Sequence, residues 1–247
     1  MNKKIKRKEE DGMVDLSAEQ LAELKGQGFL LMKDKEAFVC RIVYPAGIAT
    51  AKMLKDTAHL AEKYAKGTVS VTVRLNIEIV GIPYENIEPM KKEMEELGLI
   101  YGGTGARVRP LVCCKGTVCK FGMIDTQALC KELHDKFFEM KLPHKFKINI
   151  TGCPNNCAKA QLNDLAFMGA PKGNIRVFIG GKFGRQSLMG QEICKIPVDK
   201  ASDVATICTD FFKEHGKAKQ RFGDMLEGMK DTPEYAQFID KIKAFAI

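Results

Sequence analysis

The chain has 247 residues, 45% of them hydrophobic and 28% charged, with nine cysteines and a formal net charge of +8. That length buries a real core in one elaborate domain or two modest ones, and the ordinary globular balance excludes a disordered chain. No apolar run approaches the ~18 residues of a membrane-spanning helix, and the opening MNKKIKRKEEDG lacks the apolar stretch of a secretory signal.

These features predict a cytoplasmic protein with no membrane partner. An odd number of cysteines in a reducing compartment argues against a disulfide framework and for metal binding. The positive charge favours an anionic partner, but the basic residues are dispersed and only KKIKRK forms a run, which reads as a solvated tail rather than a nucleic-acid arm.

Ser17 to Gln20 has capping-box spacing and opens a helix that should stop near Gly26 or Gly28. EAFVCRIVY then reads as a strand, and TAKMLKDTAHLAEKYAKG as an amphipathic helix stopped by Gly67. From Thr68, TVSVTVRLNIEIVGI alternates as one long strand, and Asn86 to Glu96 reads as a helix closed by Gly98. Strand, helix, strand, helix by residue 98 suggests a small α+β module.

The glycine-rich, basic YGGTGARVRP marks a junction or a binding loop. LVCCKGTVC follows, then a helix from about Asp125 to Met140 with Leu129, Leu133 and Phe137 on one face. After Pro143 the strand HKFKINIT leads into TGCPNNCA. DLAFMG and IRVFIGG read as further strands, and the chain from Lys200 as mostly helical.

Cys113, Cys114 and Cys119 sit in one loop, Cys153 and Cys157 in another, each beside a predicted strand. Four thiolates suit a tetrahedral zinc site, but zinc loops form compact knuckles, whereas these pairs are separated by a helix and a strand. A cubane iron–sulfur cluster is larger, draws thiolates from separated corners and fits the spacing better. Neither pair follows the C-x2-C-x2-C run of bacterial ferredoxins. Cys40, Cys130, Cys194 and Cys208 lie within apolar patterns and read as small buried hydrophobes.

Over roughly residues 35 to 190 the chain resembles the sirohaem sulfite and nitrite reductases, whose hallmark is a C-x5-C pair followed by a C-x3-C pair. It is most similar to the small, single-copy, anaerobic sulfite reductase type. The resemblance implies an α+β fold: an N-terminal extension with a helix (1–34), a ferredoxin-like half-domain (35–100) and a sirohaem and [4Fe–4S] binding domain (101–247). It further implies that four thiolates hold the cluster and that Cys157 bridges to the sirohaem iron. Gly116 and Arg109 keep the family register with Cys114, whereas the gap to Cys119 is kept by Cys113. Cys114 is therefore the favoured first ligand and Cys113 the alternative, beside Cys119, Cys153 and Cys157.

The same resemblance assigns the substrate ligands. VTVRLNIEIVGI looks like the family strand that carries an arginine, which puts Arg74 in that role, and Arg109 is the second arginine. PHKFKI looks like the family's Pro-x-Lys-Phe-Lys signature and supplies Lys145 and Lys147. Two apart on a predicted strand, those lysines share a face. Two guanidinium and two ammonium groups can hold a small oxyanion and deliver protons to it. Sirohaem is a polycarboxylate, and the glycine-rich stretches 102–107 and 180–185 offer backbone N–H groups with Arg107, Lys182 and Arg185. Asn155 and Asn156 shape the turn between two ligands.

The function implied is six-electron reduction of sulfite to sulfide. Nitrite reduction to ammonia on the same centre is the nearest alternative, and an iron–sulfur electron-transfer protein or a zinc-stabilised nucleic-acid binder the others. No nicotinamide or flavin fingerprint is present, since GGTGA lacks the G-x-G-x-x-G spacing. A ferredoxin or a partner electron-donor subunit is expected, and a homo-oligomer could shield the cofactor.

Overall fold

A computed structural model of the chain describes residues 14–247; the basic run KKIKRK lies outside them. The chain forms two compact units. The first comprises the described residues up to Ile42 with 50–70 and 77–102, and the second comprises 43–49, 71–76 and 103–247. Among the described residues no helix is long and apolar enough to cross a membrane.

The first unit begins with α1 (Ala18–Gly26), whose capping box forms as the sequence predicts: the Ser17 hydroxyl accepts from the Gln20 N–H, and the Gln20 side chain accepts from the Ser17 N–H. Strands β1 (Phe29–Leu31) and β2 (Phe38–Val43) pair antiparallel with Phe29 opposite Cys40. Helix α2 (Ala51–Tyr64) starts at a Thr50 cap and turns Leu60 and Ala61 inward. Strands β3 (Thr68–Val71) and β4 (Ile77–Ile82) follow, then α3 (Ile87–Glu96), which buries Ile87, Met90 and Met94 at helical spacing, and β5 (Ile100–Tyr101). The sheet order is β1-β2-β4-β3, with β5 also on β2.

The single long strand predicted from Thr68 is in fact two. Thr72 and Asn76 break it: the Thr72 hydroxyl accepts from the N–H groups of Arg74 and Asn76, and the Asn76 amide donates to the Arg74 carbonyl at 2.8 Å. Leu75 sits at φ +62°. Side-chain oxygens that satisfy the backbone locally compete with the ladder, and here they win. Arg74 therefore stands on a turn, not on a strand.

The second unit is built on a mixed sheet. It contains β6 (Val112–Cys113), α4 (Thr126–Phe137), β7 (Ile148–Thr151), β8 (Leu165–Ala170), β9 (Asn174–Ile179) and β10 (Gln191–Pro197). Helices α5 (Ala201–His215), α6 (Phe222–Met229) and α7 (Pro233–Lys243) complete it. The order is β10-β9-β8-β7-β6, with β6, β7 and β8 parallel and the other pairings antiparallel. Strand β8 is buried along its whole length, as a strand covered on both faces must be. Leu129, Leu133 and Phe137 of α4 enter the same core as Val204, Cys208 and Phe212 of α5.

Candidate active site

Strand register sets the site. Cys113 pairs with Ile150 across the parallel β6 and β7, so both strands run the same way and release their following loops at one edge. The carboxyl edge of neighbouring parallel strands is where open sheets form their ligand crevices. Here β6 releases Cys114 to Cys119 and β7 releases Gly152 to Cys157. The loops border a cavity of about 640 Å³ whose lining includes Cys113, Cys114, Cys119, Cys153, Cys157, Val73, Phe121 and Asn155.

Glycine lets the loops meet. A Cβ on Gly152 would stand 2.9 Å from the Gly116 Cα, closer than real side chains come. The Gly152 N–H donates to the Cys114 Sγ at 3.1 Å. The Thr126 hydroxyl donates to the Cys114 carbonyl at 2.7 Å, and the Asn149 amide donates to the Ala158 carbonyl at 2.9 Å. Asn156 takes φ +53°; its oxygen accepts from the Ala160 N–H and its amide donates to Gln161, which closes the turn after Cys153.

Cys113 and Cys114 face different environments. Cys113 is buried, its thiol donates to the Ala46 carbonyl at 3.5 Å, and hydrogen bonding to it, with burial, pushes the Cys130 thiol up. Cys114 is only partly buried and its sulfur meets the N–H of the second loop. Cys157 is exposed, Cys119 intermediate and Cys153 buried. Among the described residues no three His, Cys, Asp or Glu side chains converge closely enough for a single metal ion. Soft donors spread around one cavity, with an N–H already aimed at a sulfur, instead fit a larger iron–sulfur group.

The lysine segment lies ahead of β7, which starts only at Ile148, so Lys145 and Lys147 are extended but not in the strand predicted for them. Phe146 orients them. It is fully buried against Phe222 and Phe212, with ring centroids 5.1 and 5.9 Å away, and the alternation of an extended chain turns both lysines to the opposite side. The Arg109 N–H donates to the Phe146 carbonyl at 2.8 Å, which sets that arginine beside the segment. Arg109 also donates to the Gly103 carbonyl at 3.1 Å, and Arg74 to the Pro110 carbonyl at 2.7 Å.

Lys147 carries the electrostatic signature of this grouping. Burial first, then the Arg74 and Arg221 guanidinium groups, bring its pKa down to about 8, with Lys145 adding to the effect and Asp164 opposing it. A cation pressed among cations binds an anion and releases a proton more readily than an exposed lysine.

Of the other candidates, Lys182 and Arg185 border a second cavity of about 430 Å³ with His144, Lys145 and Arg221. Lys182 is nearly buried and ion-paired with Asp224. Arg107 pairs with Glu139 at 3.0 Å, and the same carboxylate accepts from the Gly103 N–H at 2.6 Å, so this arginine braces the glycine loop. The buried Nε atoms of Arg107 and Arg221 meet no acceptor among the described residues, which suits a basin for an anionic group. Neither Asp164, which merely opens the DLAFMG run, nor Arg221 is among the candidate site residues of the sequence; a lone Asp ahead of an apolar strand and an Arg ahead of a short helix carry no functional signal there.

Two family models match the chain: the nitrite and sulphite reductase 4Fe-4S domain over residues 104–230, and the nitrite/sulfite reductase ferredoxin-like half domain over residues 31–97. The chain belongs to the nitrite and sulphite reductase 4Fe-4S family. It is 35% identical over 62% of its length to a coenzyme F420-dependent sulfite reductase of Methanocaldococcus jannaschii, of which the match spans 24%. It is 26% identical over 81% of its length to an assimilatory-type sulfite reductase of Nitratidesulfovibrio vulgaris, of which the match spans 92%. The structure of the Mycobacterium tuberculosis NirA protein superimposes with a TM-score of 0.78 and 17% identity over 94% of this chain and 48% of that one. The chain spans about half or less of the length of the first curated relatives it matches. The fold is thus α+β, a ferredoxin-like half-domain followed by a 4Fe-4S domain.

Proposed function

We propose that the chain reduces sulfite to sulfide at a sirohaem coupled to a [4Fe–4S] cluster, with electrons from an external donor such as a ferredoxin or a partner subunit. One observation carries this: the second unit brings four thiols to one sheet edge and also gathers Arg74, Arg109, Lys145 and Lys147 about a single buried segment. Cys114, Cys119, Cys153 and Cys157 would hold the cluster, with Cys114 preferred to Cys113 because its sulfur leaves the core. Cys157, the most exposed of the four, would be the bridging thiolate that the family resemblance implies.

When bound, the paired cofactors supply single electrons and an open iron coordination site. The chain's own groups do the rest. The two guanidinium groups orient the oxyanion through parallel N–H donors, and the two ammonium groups neutralise charge as it builds. Lys147, titrating at about 8, is protonated at neutral pH and able to give up that proton at its Nζ. Lys182, Arg185 and the 102–107 loop would meet cofactor carboxylates.

Nitrite is the second reading, since the matched family includes reductases of both anions. Anaerobically purified protein should show Soret and long-wavelength sirohaem bands over a broad iron–sulfur shoulder. Steady-state rates on the two anions decide the substrate. A colourless protein after iron, sulfide and sirohaem reconstitution refutes the proposal.

A further inference from the structure

Two charged residues outside the candidate site motifs are hydrogen-bonded to the lysine segment or to each other. Asp164, at the entry of β8, is completely buried; Arg221, just before α6, is 11% exposed. The Arg221 Nη2 donates to both Asp164 oxygens, at 2.9 and 2.8 Å. The same carboxylate accepts from the Lys147 backbone N–H at 2.9 Å, while the Lys147 carbonyl accepts from the Leu165 N–H at 3.1 Å. Both backbone groups of residue 147 are therefore clamped to the 164–165 step. Upstream, the Lys219 N–H donates to the Pro143 carbonyl at 3.3 Å, tying the approach to Arg221 to the start of the lysine segment.

A buried ion pair returns little net stability, because desolvation offsets most of its attraction. Its distinctive effect is to set a full positive and a full negative charge at fixed places beside a third group. The charges that bear on Lys147 are Arg74 from the 71–76 turn, Lys145 from its own segment, Arg221 from the approach to α6 and Asp164 from the entry of β8. Three are cations and one is a carboxylate.

We infer that Asp164 and Arg221 are positioning residues for Lys147: the pair fixes its backbone and sets the charge balance against which its ammonium serves the oxyanion. This rests on the reading of Lys147 as a substrate ligand. It differs from a purely structural role in one respect: loss of Arg221 and loss of Asp164 must move the titration of Lys147 in opposite directions.

The test uses the full chain and needs no cofactor. Competitive acetylation of Lys147 across pH, read by mass spectrometry, gives its midpoint, expected at about 8 in the wild type. Arg221→Gln removes a repelling cation and should raise the midpoint, whereas Asp164→Asn removes the attracting charge and should lower it, each by about one pH unit. Arg221→Lys should restore the wild-type value. In loaded enzyme the alkaline limb of the turnover profile should move with the midpoint in each variant. Midpoints that stay put, or move the same way in both variants, overturn the inference. If Asp164→Asn does not fold, the Arg221→Gln and Arg221→Lys pair decides. A wild type that binds its cofactors yet turns over neither sulfite nor nitrite would refute the function proposed above, while the acetylation midpoints still judge the pair.

Discussion

At the cysteine edge, position comes from backbone: two glycines in contact, an N–H on a sulfur, and parallel strands whose ends coincide. At the Lys145–Lys147 segment it comes from side chains: an aromatic anchor on one face and a buried ion pair clamping the chain. The first arrangement tolerates almost no added volume. The second tolerates modest changes of shape but is governed by charge. Steric and electrostatic substitutions should therefore act on different halves of the site.

The largest effect is expected from Gly152→Val. Its Cβ would press on the Gly116 Cα, and the loops should separate enough to abolish visible absorbance after iron and sulfide reconstitution, with helical circular dichroism retained. Normal cluster content would show slack in the backbone contact and break the contrast. Cys157→Ser should likewise alter both cluster and haem spectra, and Cys130→Ser neither.

On the charge-governed side, Lys145→Ala should lower turnover by at least about 100-fold, the scale set by lost electrostatic stabilisation, at unchanged cofactor content. If cofactor content falls in parallel, the lysine belongs to the cofactor pocket instead. Turnover of the wild type should decline as pH rises through about 8, where the Lys147 ammonium loses its proton. Lys147→Arg, which stays charged, should lose that alkaline limb.

A smaller, acid-side effect comes from His134. Its ring is buried and stacked on Phe138 at 4.3 Å, and neither nitrogen has a partner among the described residues. Burial takes its pKa from 6.5 to about 4. The unfolded chain binds the proton first, so stability is full above 6.5 and declines as pH falls toward 4, by about 2 kcal/mol at pH 5. Urea denaturation of His134→Phe at pH 5 and 8 should show most of that slope gone. Smaller again, Ser17→Ala should cost about 1 kcal/mol through its helix cap and leave the spectra and turnover untouched.

Local signals made much of the fold legible. The Ser17 cap, the amphipathic α2, the helix that became α3, the apolar face of α4, and the runs that became β2, β8 and β9 all read correctly, because each rests on neighbours within a few residues. The misses are of another kind. The break at Thr72–Asn76 depends on side chains capturing the backbone inside an alternating pattern. The three residues of β1 are too few to show a period, and β10, QEICKIP, mixes polar and apolar residues without alternating them. Lys145 and Lys147 reach a common side through Phe146 and its partners in α5 and α6, which a strand pattern only imitates. The Asp164–Arg221 pair joins positions 57 residues apart, and no local feature announces it. Family resemblance named the cysteines but left Cys113 and Cys114 open; the choice depends on which sulfur faces Cys130 and which faces Gly152.

The interleaving of the two units along the chain limits how the protein can be cut. A fragment starting at 104, where the 4Fe-4S family match begins, would lack Arg74 and the Ala46 carbonyl that receives the Cys113 thiol. One ending at 230 would lose Phe238, which stacks on Phe211 at 4.2 Å and touches Phe222 edge-on. Expression trials or domain grafts that trust the family boundary would thus yield a piece with an exposed aromatic seam and an incomplete set of arginines, whereas transplanting the site intact requires carrying along two short excursions encoded far upstream.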